Sequence, residues 1–194
     1  MNRRTVPVSA ALLLLTCGSA FAQARAPQPA GAPEQRAAIG ELDMLDGRWV
    51  GPAVSTGPGG VKTEITQTER VGSMLGGSVK VIEGRGYDAA GATVFNALAV
   101  VSYDAASGAY TMRSYANGHK GDYPFAVRPD GFSWEMPAGP NTIRYTATVK
   151  DGTWREVGEF IAPGQPPRPF FEMNLKRVGD GDWPAGGAVD PKAR

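Results

Sequence analysis

The sequence predicts an all-β protein, an antiparallel up-and-down barrel of about ten strands with a short N-terminal helix. Two observations predict it. From Trp49 to Arg177, short β-prone runs alternate with turn sequences: Pro58-Gly59-Gly60, Leu75-Gly76-Gly77, Ala90-Gly91, Ser107-Gly108, Asp130-Gly131 and Asp151-Gly152. No helical periodicity lies between those runs, which argues against a parallel βαβ sheet. A two-sheet sandwich is the competing arrangement, but short links between successive strands favour a simple meander that closes on itself.

The helix is expected over residues 34–45. Ile39, Leu42 and Leu45 share a face at helical spacing, Pro33 suits a helix start, and Gly40 weakens the segment without forbidding it. It should pack across one end of the barrel. Strands follow over residues 48–55, 61–71, 78–87, 93–103, 109–116, 123–127, 132–136, 142–150, 153–161 and 169–177. The clearest alternation sets Ile143, Tyr145, Ala147 and Val149 against Thr142, Arg144, Thr146 and Thr148, which requires one apolar and one wet face. Residues 123–127, ahead of Arg128-Pro129, form the weakest strand and the place where closure would fail.

The ends have a different character. Residues 1–22 read as a signal peptide: a basic start at Arg3-Arg4, an apolar run from Ala10 to Leu15, and Ala20-Phe21-Ala22 before cleavage between Ala22 and Gln23. The apolar run is too short to span a bilayer, which needs about 20 residues. The mature chain is therefore expected to be soluble, without membrane insertion, and periplasmic or secreted. Lipid anchoring through Cys17 is disfavoured because Thr16 replaces the small residue wanted before a lipidated cysteine, and Val6-Pro7 spoils a twin-arginine reading. Residues 23–33, rich in Ala, Pro and Gly, read as a flexible linker; 34–178 form the barrel domain; 179–194 read as a flexible Gly/Pro-rich tail containing Trp183.

Composition excludes several chemistries. The single cysteine is Cys17, so the mature chain has neither disulfide nor thiolate. Lys and Arg number 20 against 19 Asp and Glu, and removing Arg3 and Arg4 with the leader leaves 18 against 19, no footprint for nucleic acid or an anionic membrane. The one histidine, His119, lies in Ala116-Asn117-Gly118-His119-Lys120-Gly121-Asp122 and reads as a solvated turn residue; alone it builds no two-histidine metal site. No Gly-x-Ser-x-Gly elbow places a nucleophilic serine, and Gly57-Pro58-Gly59-Gly60 and Gly84-Arg85-Gly86 lack the ending that phosphate cradling requires. No metal and no cofactor are expected.

Leu45-Asp46-Gly47-Arg48-Trp49-Val50-Gly51 resembles the Gly-x-Trp opening of calycins, the superfamily of lipocalins and fatty-acid-binding proteins. The resemblance implies that Trp49 closes one end of the barrel beneath an arginine of the last strand, for which Arg177 in Asn174-Leu175-Lys176-Arg177 is the candidate; Gly47, Trp49 and Arg177 would then be structural residues. Residues 64–83, with Met74-Leu75-Gly76-Gly77, Tyr103-Asp104 and Lys176-Arg177, are similar to an uncharacterised bacterial family of lipocalin-like domains. Gly164-Gln165-Pro166-Pro167-Arg168-Pro169-Phe170 also looks like the segment that carries the haem-ligating histidine in nitrobindins, but Phe170 stands where that histidine is expected and cannot ligate iron.

Charged residues within strands, Glu64, Glu83, Arg85, Arg113, Glu135, Arg144, Glu159 and Glu172, read mostly as a solvated outer face. Glu135 and Glu159 are the candidates for a general acid/base pair, against cross-strand pairing with Arg144 and Arg155. In calycins an inward arginine grips a ligand's polar head, and on that basis Arg113 is taken as the anchor, with Trp134, Met136, Tyr145 and Phe171 lining the pocket. The expected function is non-covalent binding of a small, largely apolar molecule. An enzyme acting on a lipid-like substrate through strand carboxylates or Tyr/Arg pairs, and an interaction module with a filled barrel, are the rival readings. The sequence leaves oligomeric state open.

Overall fold

A computed structural model describes residues 33–181, 183 and 192. Strands β1 (Gly47–Thr56), β2 (Lys62–Met74), β3 (Val79–Tyr87), β4 (Thr93–Asp104), β5 (Ala109–Ala116), β6 (His119–Arg128), β7 (Gly131–Ala138), β8 (Asn141–Lys150), β9 (Thr153–Ile161) and β10 (Arg168–Gly179) follow one another around a closed barrel. Every neighbouring pair is antiparallel, and β1 closes against β10 with Trp49 opposite Arg177 and Ala53 opposite Met173. The barrel expected from the turn rhythm is the barrel observed. Two of its turns, Asn117-Gly118 and Asp151-Gly152, place both residues at positive φ, as a type I′ hairpin turn requires.

The helix is shorter than its periodicity suggests. Helix α1 runs Pro33–Gly40 and stops at the residue that most weakens it; a turn then leads into a 3₁₀ segment, Asp43–Leu45. Ile39, Leu42 and Leu45 nonetheless share one buried face, fully shielded from solvent. The weakest expected strand is longer than its apolar run, because β5 and β6 pair continuously up to Ala116 opposite His119. His119 therefore begins a strand, although it remains exposed.

These N-terminal segments plug one end of the barrel. Beneath Ile39, Leu42 and Leu45 lie Trp49, Val71, Val101, Met112, Phe125, Phe132, Val149, Trp154 and Leu175, all buried. Trp49 meets Trp154 edge-on at 5.8 Å and donates its indole N–H to the carbonyl of Leu45 at 2.8 Å, while the Tyr110 hydroxyl donates to the carbonyl of Ala38. An indole so placed contributes about 3–5 kcal/mol relative to alanine. Lys80, fully buried, fastens the plug through its Nζ to Asp43 at 2.8 Å, Asp46 at 2.6 Å and the Ser73 hydroxyl at 2.8 Å.

Candidate functional site: the uncapped half of the barrel interior

Strand alternation decides which side chains enter the barrel. Odd positions of β2, β4, β6 and β8 and even positions of β3, β5, β7 and β9 point inward, as their burial patterns show. The interior changes character along its axis. At the plugged end many inward residues are fully shielded, although Tyr103, Tyr110 and Val127 keep intermediate exposure, whereas in the other half Ile65, Tyr123, Trp134, Met136, Ile143, Tyr145 and Phe171 all do. Water therefore reaches the second half from its unplugged mouth.

Aromatic rings form the wall of this half. Trp134 stacks on Tyr145, centroids 4.3 Å apart and planes 9° from parallel; Tyr123 lies 5.7 Å from Trp134, and Phe171 meets Tyr145 edge-on at 5.8 Å. Glycine makes room for them: a Cβ on Gly158 would fall 2.7 Å from the Tyr145 ring.

A layer of acids sits between these rings and the Trp49–Trp154 floor. Glu69 of β2 lies opposite Trp49 on one side and Gly84 on the other. Its Oε1 accepts a hydrogen bond from Gln67 Nε2 at 2.7 Å, but its Oε2 is buried with no partner. Glu156 of β9 accepts indole N–H bonds from Trp134 at 3.3 Å and Trp154 at 3.2 Å, one on each oxygen. The residues are only 9 % and 7 % exposed, so both acids lie at the bottom of the accessible half. Burial pushes Glu69 up to about 8, against the lowering effect of the Gln67 bond, with the charges of Glu156 and Glu83 raising it further. Burial also raises Glu156, to about 7, and the two indoles pull the other way. Tyr145 is pushed up to about 12 by burial and then by Glu156. Glycines of β3 make room for this layer: the Glu69 carboxylate occupies the space a Cβ on Gly84 would fill, 2.8 Å away, and Ile65 and Gln67 crowd the same position at Gly86, 2.5 and 3.2 Å away.

Of the pocket residues read from the sequence, Trp134, Met136, Tyr145 and Phe171 share this inner face. Arg113 does not. Its neighbours Met112 and Ser114 point inward, so alternation sends Arg113 outward, where it pairs bidentately with Asp122 at 2.6 and 2.7 Å. The charged groups inside the uncapped half are the acids Glu69 and Glu156, in place of the expected arginine. Glu135 also lies outside, bound to Arg144 at 2.6 Å, while Arg155 pairs with Glu172 in place of Glu159. Glu83 pairs with Arg85.

At the plugged end, Trp49 is buried as the calycin resemblance implies, but Arg177 engages it differently. The guanidinium lies over Gly47, donating to the Asp46 carbonyl at 3.2 Å and the Asp180 carboxylate at 2.6 Å. Gly47 is required there, since at φ +129° an added Cβ would lie 2.9 Å from that guanidinium. Trp183 folds back on β2, its ring 4.4 Å from the Arg70 guanidinium. Phe170 sits beside a bulge in β10 with its ring 6.0 Å from Tyr145. Ala22, Gln23 and Cys17 lie outside the described residues.

Glu69 and Glu156 escaped the sequence reading because a lone acid among β-prone residues usually marks the wet face. The available signal was the frame: Ile65-x-Gln67-x-Glu69-x-Val71 and Trp154-x-Glu156-x-Gly158-x-Phe160 put each acid in phase with buried neighbours. Two grooves lie elsewhere on the surface. One, of about 660 Å³, runs by the β5–β6 turn and includes Leu98, Tyr115 and His119; the other, of about 300 Å³, runs along β1 and β10. Among the described residues, no group of three or more His, Cys, Asp or Glu side chains is placed to hold a metal, and no helix is long and apolar enough to cross a membrane.

Fold and interior together define a closed ten-stranded antiparallel β-barrel with an accessible, aromatic-walled half. No family model matches the chain, and no curated protein matches it significantly. Among solved structures it is similar to Rv2717c from M. tuberculosis, at 13% identity and a TM-score of 0.55, over 76% of this chain and 98% of that one. At that identity the similarity shows the fold.

Proposed function

We propose that this protein is an exported, calycin-like binding domain that holds a small, largely apolar molecule non-covalently in the uncapped half of its barrel. The carrying observation is the residual exposure of side chains that point inward: Ile65, Tyr123, Trp134, Tyr145 and Phe171 face the barrel axis, yet none of them is fully shielded. A concave, mostly apolar surface with a few convergent polar groups is the usual form of a small-molecule site. The stacked Trp134 and Tyr145 supply an apolar wall, and Gln67, Glu69 and Glu156 supply the polar end. Export rests on the leader sequence, and release after Ala22 would give a mature chain starting at Gln23.

Native mass spectrometry of the protein purified from its own host tests this reading. A retained small molecule is expected, together with loss of most of that occupancy in Trp134→Ala, since one aromatic contact of this kind is worth about 1 kcal/mol beyond its buried area. Recovery of the bare polypeptide alone, with no binding across a panel of apolar compounds, would overturn it. The acid layer favours a second reading, proton transfer on the bound molecule, because Glu69 and Glu156 have different environments and so can divide acid and base roles. Turnover lost in Glu69→Gln with binding retained would establish it.

A further inference from the structure

Resting on that binding reading, we propose that the ligand is an organic cation, an ammonium or amidinium on an apolar body, with its charged nitrogen at Glu69 and Glu156 and its body against Trp134 and Tyr145. Two observations carry it. The interior holds two acids, and the Oε2 of Glu69, more than nine-tenths buried, has no partner. A buried oxygen left in this state is costly, and a donor entering from the open half removes that cost.

No base answers these acids from inside the barrel among the described residues. The buried Lys80 is engaged by Asp43, Asp46 and Ser73 at the plugged end. Arg85, Arg113, Arg144 and Arg155 pair with acids on the outer face, and Arg168 lies at the rim with its guanidinium 5.7 Å from the Phe160 ring. An anionic head, such as a fatty carboxylate, would therefore meet two acids and no countercharge. A cation meets the reverse: carboxylates below its nitrogen and the aromatic wall of Trp134 and Tyr145 beside its apolar body.

Proton balance completes the scheme. Burial favours the protonated form of both acids when no cation is present, most strongly at Glu69, where Glu83 on the far face of β3 acts in the same sense. An arriving ammonium stabilises the carboxylates, so a proton leaves Glu69 for solvent while the ligand keeps its own.

The test titrates the mature protein by calorimetry at pH 7 with benzylamine and 1-naphthylmethylamine, each alongside its alcohol and carboxylate counterparts. The amines are expected to bind at least about tenfold tighter than the alcohols, the carboxylates weakest of all, with proton release visible as a dependence of the heat on the buffer. Glu69→Gln should weaken the amines about tenfold and leave the alcohols within about twofold, its fold checked by thermal melting. Should that variant fail to fold, the ranking of the three head groups on the unaltered protein decides. Alcohols or carboxylates binding as well as amines would overturn the cation assignment and leave the binding reading intact. Binding by none of the six compounds, and by no apolar compound of the wider panel, would overturn both.

Discussion

Glu69 and Glu156 tie the stability of the barrel to pH, and the direction follows from their burial. In the unfolded chain these carboxyls titrate near 4.5, whereas in the barrel they are raised to about 8 and about 7. Between those values the folded protein keeps protons that the unfolded chain releases, so the stability present below about pH 4.5 is lost as pH rises through 7 and 8. Asp104, Asp122, Glu172 and Asp180 are lowered by hydrogen bonds and run the opposite way, losing their contribution only in acid. The interval from pH 5 to pH 9 therefore isolates the interior pair. Thermal melting should show the Tm falling by about 5 °C or more across it, since 1 kcal/mol moves a domain of this size by about 2–4 °C. Glu69→Gln should remove most of the slope and raise the Tm at pH 9; an unchanged slope would show that the acid is not buried in solution. The same residues mark the limit of what the sequence reveals. Alternation places Trp134 and Tyr145 correctly, because aromatic residues in a strand are mostly inward. An acid or an arginine takes its side from the local register alone, which is how Arg113 came to be expected inside and Glu156 overlooked.

At the scale of elements, the plug is held by a charge cluster as well as by its apolar face. Ile39, Leu42 and Leu45 were legible from helical spacing, but the break after Gly40 and the clamp formed by Lys80 were not, since Asp43, Asp46 and Lys80 come together only once β3 is in place. The ammonium is completely shielded while the carboxylates of Asp43 and Asp46 remain 66 % and 40 % exposed, so the energetic burden falls on the lysine. Neutralising both acids together, Asp43→Asn with Asp46→Asn, leaves a buried positive charge beside neutral amides. The expected loss is about 3 kcal/mol in chemical denaturation, near the low end for an uncompensated buried charge because the amide oxygens and Ser73 still accept hydrogen bonds. Adding Lys80→Met to that double variant should recover part of the loss, as an apolar side chain of similar length needs no partner. Failure to recover would mean that the acids act by fixing the Asp43–Leu45 segment rather than by answering the lysine.

For the whole molecule, closure is the property that a list of strands does not contain. Nine of the ten strand pairings join neighbours in sequence, and short turns foretell them; only β1 with β10 brings the two ends of the domain together. That seam is narrow. A Cβ on Gly51 of β1 would overlap the carbonyl oxygen of Asn174 and lie 3.0 Å from the Cα of Leu175, both fixed backbone of β10. Gly51 lies within the strand expected over residues 48–55, where the sequence gives no sign of its partner, so its role in bringing two backbones close emerges only after β10 docks. Gly51→Val must therefore push the strands apart or bend β1, exposing ladder hydrogen bonds on both sides of the opening. The expected cost is at least about 3 kcal/mol in urea unfolding, with self-association in size-exclusion chromatography as the freed edges pair between molecules. Ala126→Val, on the exposed face of β6, creates the same valine side chain away from the seam by adding two methyl groups to an existing Cβ and should change stability by less than about 0.5 kcal/mol. If both variants melted together as stable monomers, the β1–β10 seam would have to be looser than this close approach implies, and the barrel would owe its integrity to the nine hairpins and the plug alone.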